Sequence, residues 1–304
     1  MNAMARYRTA EALGMAVKSA ARKSPLDTSM AIRGFYYDRF LCRVFSEDEP
    51  AFILKGGQGM LARTTSARST TDVDLLYRKT DINEAVERLK RIAAIDLGDY
   101  MEFRFKSIAP IAEAQEYREG FRITFEAVLG VRKVDDVSVD LVTDRVACEN
   151  PDVIASESRL DIEGLATFDY LVYPVEYMIV DKICATMGGY ADGSPSSRVK
   201  DLVDLVTILS TQTFESTVLA KKLVEEFTFV RKLGEYTRFK VPALWLEQYT
   251  TNYQKLARKA HLVQRFESIG EAEELVQACL AEALAIGEST WNPEKLIWVS
   301  QEGR

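Results

Sequence analysis

Two aspartates one residue apart, Asp72 and Asp74, open the run DVDLLY, and two adjacent glycines, Gly56 and Gly57, stand upstream of them. DVDLLY alternates polar and apolar residues like a strand, so both carboxylates point to the same face. Two carboxylates held that close repel unless a proton or a cation lies between them. Mg²⁺, or Mn²⁺ in its place, prefers oxygen ligands and leaves positions open for phosphate oxygens, which suits such a pair. The spacing alone also describes a solvated strand edge. Gly56-Gly57 follows the short apolar run AFIL and lets backbone N–H groups approach a phosphate, although a glycine pair also makes an ordinary turn. Arg63 and Arg68 lie between the two features and could add phosphate contacts. A further acid, Asp140, sits in VSVDLV between Val139 and Leu141, where an unpaired charge is costly if its face is buried. If that strand neighbours 72–77, Asp140 completes a three-carboxylate site for two metals. Asp135 and Asp136, expected in the preceding turn, read as solvated. A phosphate cradle plus metal carboxylates is the equipment of nucleotidyl or phosphoryl transfer.

Other chemistries are poorly supplied. The chain has one histidine, His261, so a histidine-ligated metal or a Ser-His-Asp triad is hard to build. Cys42, Cys148, Cys184 and Cys279 are scattered, with no Cys-x-x-Cys pair, and read as buried free thiols. The net charge of −7 opposes non-specific nucleic-acid binding, yet between Arg231 and Arg265 eight basic residues face only Glu235 and Glu247. That window is either a solvated helix face or a surface for a polyanion.

The elements that must position these groups follow from composition and periodicity. With 304 residues, 47% hydrophobic and 28% charged, the chain has globular usage. No run approaches the roughly 20 apolar residues of a membrane span, and the first residues lack the apolar core of a secretory signal, which places the protein in the cytoplasm. Helices are expected over 5–22 and 28–46, the second with Ile32, Phe35, Phe40, Leu41 and Phe45 as its apolar stripe. Strands are expected at 51–54, 72–77, 100–108, 121–129 and 136–142, with a short helix over 58–64 and another over 83–94. After Pro174 the pattern is helical, over 174–187, 197–210, 215–230, about 243–262 and 270–286. The fold class is therefore mixed α/β (α+β), a small mixed or antiparallel sheet followed by a helical C-terminal part. The organisation expected is N-terminal helices (1–48), a catalytic domain (49–172) and a helical domain (173–304).

KGG-x-x-x-L followed by R-x-T-x-D-x-D-L, here Lys55, Gly56, Gly57, Leu61, Arg68, Thr70, Asp72, Asp74 and Leu75, resembles the nucleotidyltransferase domain of the AbiEii/AbiGii family. That family includes the MenT-type toxins and lies within the polymerase-β-like nucleotidyltransferase superfamily. PVEYMIVDKICATM resembles the family helix that carries a lysine, here Lys182, and SRVKDLVDLVTIL resembles its basic-Asp-x-x-Asp-Leu helix, here Lys200, Asp201 and Asp204. The four motifs occur in the family's order across roughly residues 50–210. One position departs: many relatives in the superfamily carry Ser or Thr where Gln58 stands, so a hydroxyl that would touch the nucleotide phosphates is missing.

The resemblance implies a nucleotidyltransferase fold and transfer of NMP from an NTP. Asp72 and Asp74 would bind one or two metal ions, and Asp140 would serve as ligand or as base. The nucleotide would meet Lys55, Gly56, Gly57, Gln58, Arg68 and Arg198, while Lys182 would grip the triphosphate and Asp201 would hold Lys182 or orient the acceptor. By spacing alone Lys182 reads as a surface lysine. The resemblance further implies a toxin of a toxin–antitoxin or phage-defence pair with a cognate antitoxin, and for the MenT-type branch action on tRNA 3′ ends. Nucleotidylation of a protein or a small molecule, or a silent nucleotide- or antitoxin-binding module, are the alternatives.

Overall fold

A computed structural model describes residues 7–111, 120–143, 148, 150–190 and 192–300. The chain divides into two compact units. The first comprises Met1–Thr65 and Ser69–Tyr173, and the second Ser66–Arg68 and Pro174–Arg304. The N-terminal helices thus belong to the same unit as the sheet.

In the first unit seven strands form one mixed sheet. In chain order they are β1 (Phe52–Lys55), β2 (Asp72–Tyr77), β3 (Met101–Pro110), β4 (Gly120–Leu129), β5 (Arg132–Thr143), β6 (Asp152–Ile154) and β7 (Tyr170–Val172). The order across the sheet is β3-β4-β5-β2-β1-β7-β6. β2 runs parallel to β5 and antiparallel to β1, and β1 runs parallel to β7. The short β6 and β7 carry too little period-2 pattern to be expected from sequence. The expected turn over 130–135 is tighter than that: β5 already begins at Arg132, so Asp135 and Asp136 lie in the strand, ion-paired to Arg33 and to Lys106 and Lys133.

Alternation assigns the two faces. Val73, Leu75 and Tyr77 of β2 and Val137, Val139 and Leu141 of β5 join the hydrophobic core, so Asp72, Asp74 and Asp140 occupy the opposite face. Helices α1 (Ala10–Ala21), α2 (Thr28–Val44) and α4 (Ile82–Ala93) build the layer over the core face, with α1 packed on α2. Ala5 and Arg6, the start of the expected first helix, lie outside the described residues. Asp27 caps α2 by accepting from the N–H of Ser29 and Met30 at 3.0 and 3.2 Å. Phe40 of α2 meets Phe103 and Phe125 with ring centroids 5.3 Å away in each case. Each such buried ring contributes roughly 1.5–3 kcal/mol of transfer free energy.

α2 also buries two arginines that its apolar stripe does not announce. Arg39 Nε donates to Asp99 Oδ2 at 2.7 Å, and Arg43 Nη2 donates to Asp99 Oδ1 at 2.7 Å, with Asp99 wholly buried. Arg39 Nη1 also donates to the carbonyl of Ala166 and Arg43 Nη2 to that of Met101, which helps the charges stay ionised in the core, while Arg39 Nη2 and Arg43 Nε are buried with no hydrogen-bond partner among the described residues. Burial of Asp99 disfavours its charge, yet Arg43 and Arg39 outweigh it and hold its carboxyl below the usual value.

The second unit is built on α5 (Val175–Met187), α6 (Val199–Thr211), α7 (Ser216–Val224), α8 (Leu244–Gln248), α9 (Thr250–Lys259) and α10 (Ile269–Ala285). The expected helix over 215–230 ends as a π-helical turn at Glu225–Val230, and that over 243–262 breaks at Tyr249 into α8 and α9. A hairpin, β8 (Ser289–Asn292) and β9 (Ile297–Ser300), follows α10. Its Trp291 stacks on Phe214 at 5.8 Å and donates its indole N–H to the carbonyl of Leu209, tying the hairpin to α6. The alternation around its Asn-Pro turn was the sequence signal for it. The four cysteines are free and buried. Among the described residues no helix is long and apolar enough to cross a membrane.

Candidate functional site

Helix α3 (Gly56–Arg63) starts directly at the end of β1, so the two glycines form its first turn rather than a turn before it. Its N-cap residue, Lys55, gives it no side-chain cap, and a helix start of this kind favours an anion. Gly56 has φ +60°, and a Cβ built on it would lie 1.7 Å from Asp74 Oδ2. A Cβ on Gly57 would lie 2.7 Å from the Cβ of Thr70. Both glycines are therefore demanded by contact. Without side chains, the first turn of α3 seats against Asp74 and against the segment that leads into Asp72.

Strand register extends this into a charged row. Asp74 pairs with Lys55 across β1 and with Asp140 across β5, and Asp140 pairs with Arg122 across β4. Directly opposed residues have Cβ atoms about 4.5–5.5 Å apart, so Lys55, Asp74, Asp140 and Arg122 lie side by side on the face opposite the core. Lys55 is buried, its ammonium 3.9 Å from the centre of the Tyr173 ring. Asp140 neighbours Asp74 in the sheet, but Arg122 grips both its oxygens at 2.7 Å. The Asp140 carboxylate raises the pKa of the Arg122 guanidinium above its ordinary value, and Asp72 and Asp74 add to the effect. Among the described residues no three acidic, histidine or cysteine side chains converge to hold a metal ion. The expected three-carboxylate arrangement is thus not assembled here, because an arginine neutralises the third acid. Asp72 and Asp74 are partly exposed, hard oxygen donors on one strand face, a donor set that fits Mg²⁺ with its remaining positions open.

In the second unit a buried ion network joins α5, α6 and the segment Ser66–Arg68. Lys182 on α5 donates to Asp204 Oδ2 at 2.7 Å and meets Asp201 Oδ1 at 3.5 Å. Arg68 makes a two-pronged contact with Asp204, Nε to Oδ1 at 2.9 Å and Nη2 to Oδ2 at 3.1 Å. Arg198 Nε donates to Asp201 Oδ2 at 2.5 Å. Lys182, Asp201 and Asp204 are 8%, 2% and 3% exposed, whereas the Arg198 side chain is 45% exposed. Burial works against the Lys182 charge, but Asp204 and then Asp201 outweigh it and raise its pKa. For Asp201 burial is likewise outweighed, first by Lys182 and then by Arg198, and its pKa is lowered.

A family model described as nucleotidyl transferase AbiEii toxin, type IV TA system, matches residues 39–281. The chain belongs to the AbiEii nucleotidyltransferase toxin family. It is accordingly a nucleotidyltransferase, and membership of a type IV toxin–antitoxin family implies an NTP substrate and an antitoxin partner. Among solved structures it is similar to MenT4, a nucleotidyltransferase toxin from Mycobacterium tuberculosis H37Rv, at 13% identity over 90% of this chain and 98% of that one, TM-score 0.48. It is also similar to JHP933 from Helicobacter pylori, at 16% identity over 84% of this chain and 94% of that one, TM-score 0.41. No curated protein matches it.

Within this AbiEii chain some residues stand apart from their expected places. Arg63 is buried in the first unit, where it ion-pairs with Asp152 and donates to the carbonyl of Tyr173 at 2.8 Å, so it braces α3 against β6 and β7. Asp204, matched to a family motif but given no role from sequence, is the shared acceptor of Lys182 and Arg68. Its spacing of three from Asp201 on one helix was the available signal. In the basic window Lys232, Arg238, Lys240, Lys255 and Lys259 are exposed, while Arg231, Arg258 and Arg265 pair with Asp181, Glu267 and Glu271.

Proposed function

We propose that the chain transfers a nucleoside monophosphate from an NTP to a hydroxyl of RNA, with tRNA 3′ ends as the acceptor, and acts in the cytoplasm as a toxin. The observation that carries the reading is the contact of Gly56 with Asp74, which sets the uncapped start of α3 beside the carboxylate pair. In this reading Asp72 and Asp74 hold Mg²⁺, which when bound supplies positive charge to the phosphate oxygens. The first turn of α3, through Gly56 and Gly57, receives phosphate with its N–H groups, and Lys55 adds a positive charge to the same end of β1. Arg68 and Arg198 are the cations of the second unit to which the family resemblance gives a nucleotide-binding role. Asp204 and Asp201 orient them, and Lys182, buried between the two acids, keeps those acids from repelling each other; it is a positioning residue. Asp140 remains the reserve acid for the acceptor hydroxyl if Arg122 releases it. The exposed lysines and Arg238 of the window 231–265 support a polyanionic acceptor.

Incubating the full chain with each α-labelled NTP, Mg²⁺ and total RNA or protein, then resolving the products on a gel, tests the reading. Label should enter a tRNA-sized band, and Asp72→Ala and Asp74→Ala should abolish it while keeping the wild-type unfolding transition. Retained labelling in both variants would sink the metal assignment, and label in protein would overturn RNA as acceptor.

A further inference from the structure

Within the second unit, the loop that joins α5 to α6 lies between the helix of Lys182 and the helix of Asp201 and Asp204. None of the roles assigned above falls on residues 188–197, yet the loop is heavily braced. Gly189 bridges to Pro195, the Tyr190 N–H donates to the carbonyl of Ser194 at 2.8 Å, and the Gly193 N–H donates to the carbonyl of Tyr190 at 2.9 Å. The buried Ser196 donates its hydroxyl to the carbonyl of Ala185 at 2.6 Å, and the indole N–H of the buried Trp245 donates to the carbonyl of Ser196 at 2.5 Å. A loop braced in this way is ordered before a partner arrives, so binding to it loses little to ordering.

Tyr190 stands out of that frame. It is 39% exposed, although its hydroxyl shares a hydrogen bond at 2.7 Å with Ser197 Oγ. With the polar tip engaged inside the loop, what the side chain presents outward is its ring. Two separate segments of the chain flank it, each with an exposed cation. On one side Arg198, whose side chain is partly exposed, follows Ser197. On the other, the exposed Leu233 has its Cδ2 3.8 Å from where a Cβ on Gly188 would stand, and the exposed Lys232 precedes it. The loop's acid, Asp192, is engaged by Ser194, accepting from its N–H and its hydroxyl at 2.9 and 2.6 Å. An open ring with an apolar neighbour and cations from two segments matches an unpaired nucleotide within a strand, whose base stacks on the ring while phosphates on either side meet the cations. An NTP carries its charge at one end only, which suits this arrangement less well.

We propose that Tyr190 is a stacking platform for an unpaired nucleotide of the acceptor strand. The proposal rests on the reading that the acceptor is RNA, and it deepens that reading by requiring a single-stranded stretch, since a paired base cannot lie on the ring.

Anisotropy titrations of the full chain with a labelled short single-stranded RNA, and with the same strand in a blunt duplex, read binding apart from transfer when NTP and divalent metal are left out. The single strand should bind saturably and more tightly than the duplex. Tyr190→Phe keeps the ring and should bind as wild type does. Tyr190→Leu should bind roughly tenfold more weakly, the scale of one lost base–aromatic stack. Unfolding transitions establish that each variant folds; if Tyr190→Leu does not, Leu233→Asp, which sets a carboxylate beside the ring, decides in its place by the same loss. No binding of the single strand, equal binding by wild type and Tyr190→Leu, or a loss in Tyr190→Phe as large as in Tyr190→Leu overturns the proposal. A Tyr190→Leu protein that binds RNA normally but has a raised KM for NTP assigns the ring to the donor nucleotide and also overturns it. Ring-dependent RNA binding by a wild type that transfers label from no NTP overturns the transferase reading instead and leaves the platform standing.

Discussion

Replacing Gly56 by alanine perturbs the site at its tightest contact. The new Cβ would lie 1.7 Å from Asp74 Oδ2 and 2.6 Å from Asp74 Cγ, so the oxygen must retreat by about as much again to reach the 3.4 Å of ordinary contact. Two effects combine. The φ of +60° costs an alanine about 1–2 kcal/mol, a fall in melting temperature of roughly 2–8 °C for a unit of this size. The displaced carboxylate moves by more than 1 Å from its place beside Asp72, and misplacement on that scale costs about a hundredfold in rate. Gly98 separates the two, because it has φ +67° and nothing within 4 Å of its notional Cβ. Gly98→Ala should show the stability loss alone, with transfer from labelled NTP unchanged. Gly56→Ala should show that loss plus the hundredfold fall in transfer. A Gly56→Ala enzyme as active as Gly98→Ala would refute the claim that the glycine exists to seat α3 against the carboxylate.

The buried acid Asp99 makes stability depend on pH. Its folded pKa lies below the ordinary 3.8, so its contribution is complete above the unfolded pKa and is lost as pH falls through the folded one. Asp99→Asn leaves Arg39 and Arg43 without their anion and should cost about 3–5 kcal/mol at pH 7. In urea titrations the gap between wild type and variant should narrow below about pH 4, and a gap that persists unchanged to pH 3 would exclude this account. Arg122→Ala should free Asp140 on the face it shares with Asp74, and transfer should then need less Mg²⁺ for half-maximal rate. An unchanged metal dependence would exclude Asp140 from the metal site.

Much of the local structure was legible before any coordinates. The alternation in DVDLLY gave β2 over the very residues expected, and the helical spacing around Val86, Leu89 and Ile92 gave α4 within a residue. The mixed sheet followed by helices, and the order of the family motifs, were equally readable, since periodicity and turn chemistry are local properties. Asp204 and Gln58 show where reading stopped. One was a helix acid among several and the other a missing hydroxyl, and neither reveals its neighbours from its own position.

The sequence by itself determined that Asp72 and Asp74 share a strand face, because a pleated strand allows nothing else, and that two glycines precede them. Only the tertiary structure decided the rest. The parallel pairing of β2 with β5 brings Asp140 beside Asp74 from more than sixty residues away, and the antiparallel β4 then gives that acid to Arg122. The fold likewise turns Gly56 from a flexible joint into a contact that excludes any side chain, and Lys182 from an apparent surface cation into the buried centre of an ion network. Such choices are set by which strands bury their apolar faces together and which charges must find partners once water is gone. Those energies belong to the assembled fold rather than to any short stretch of chain.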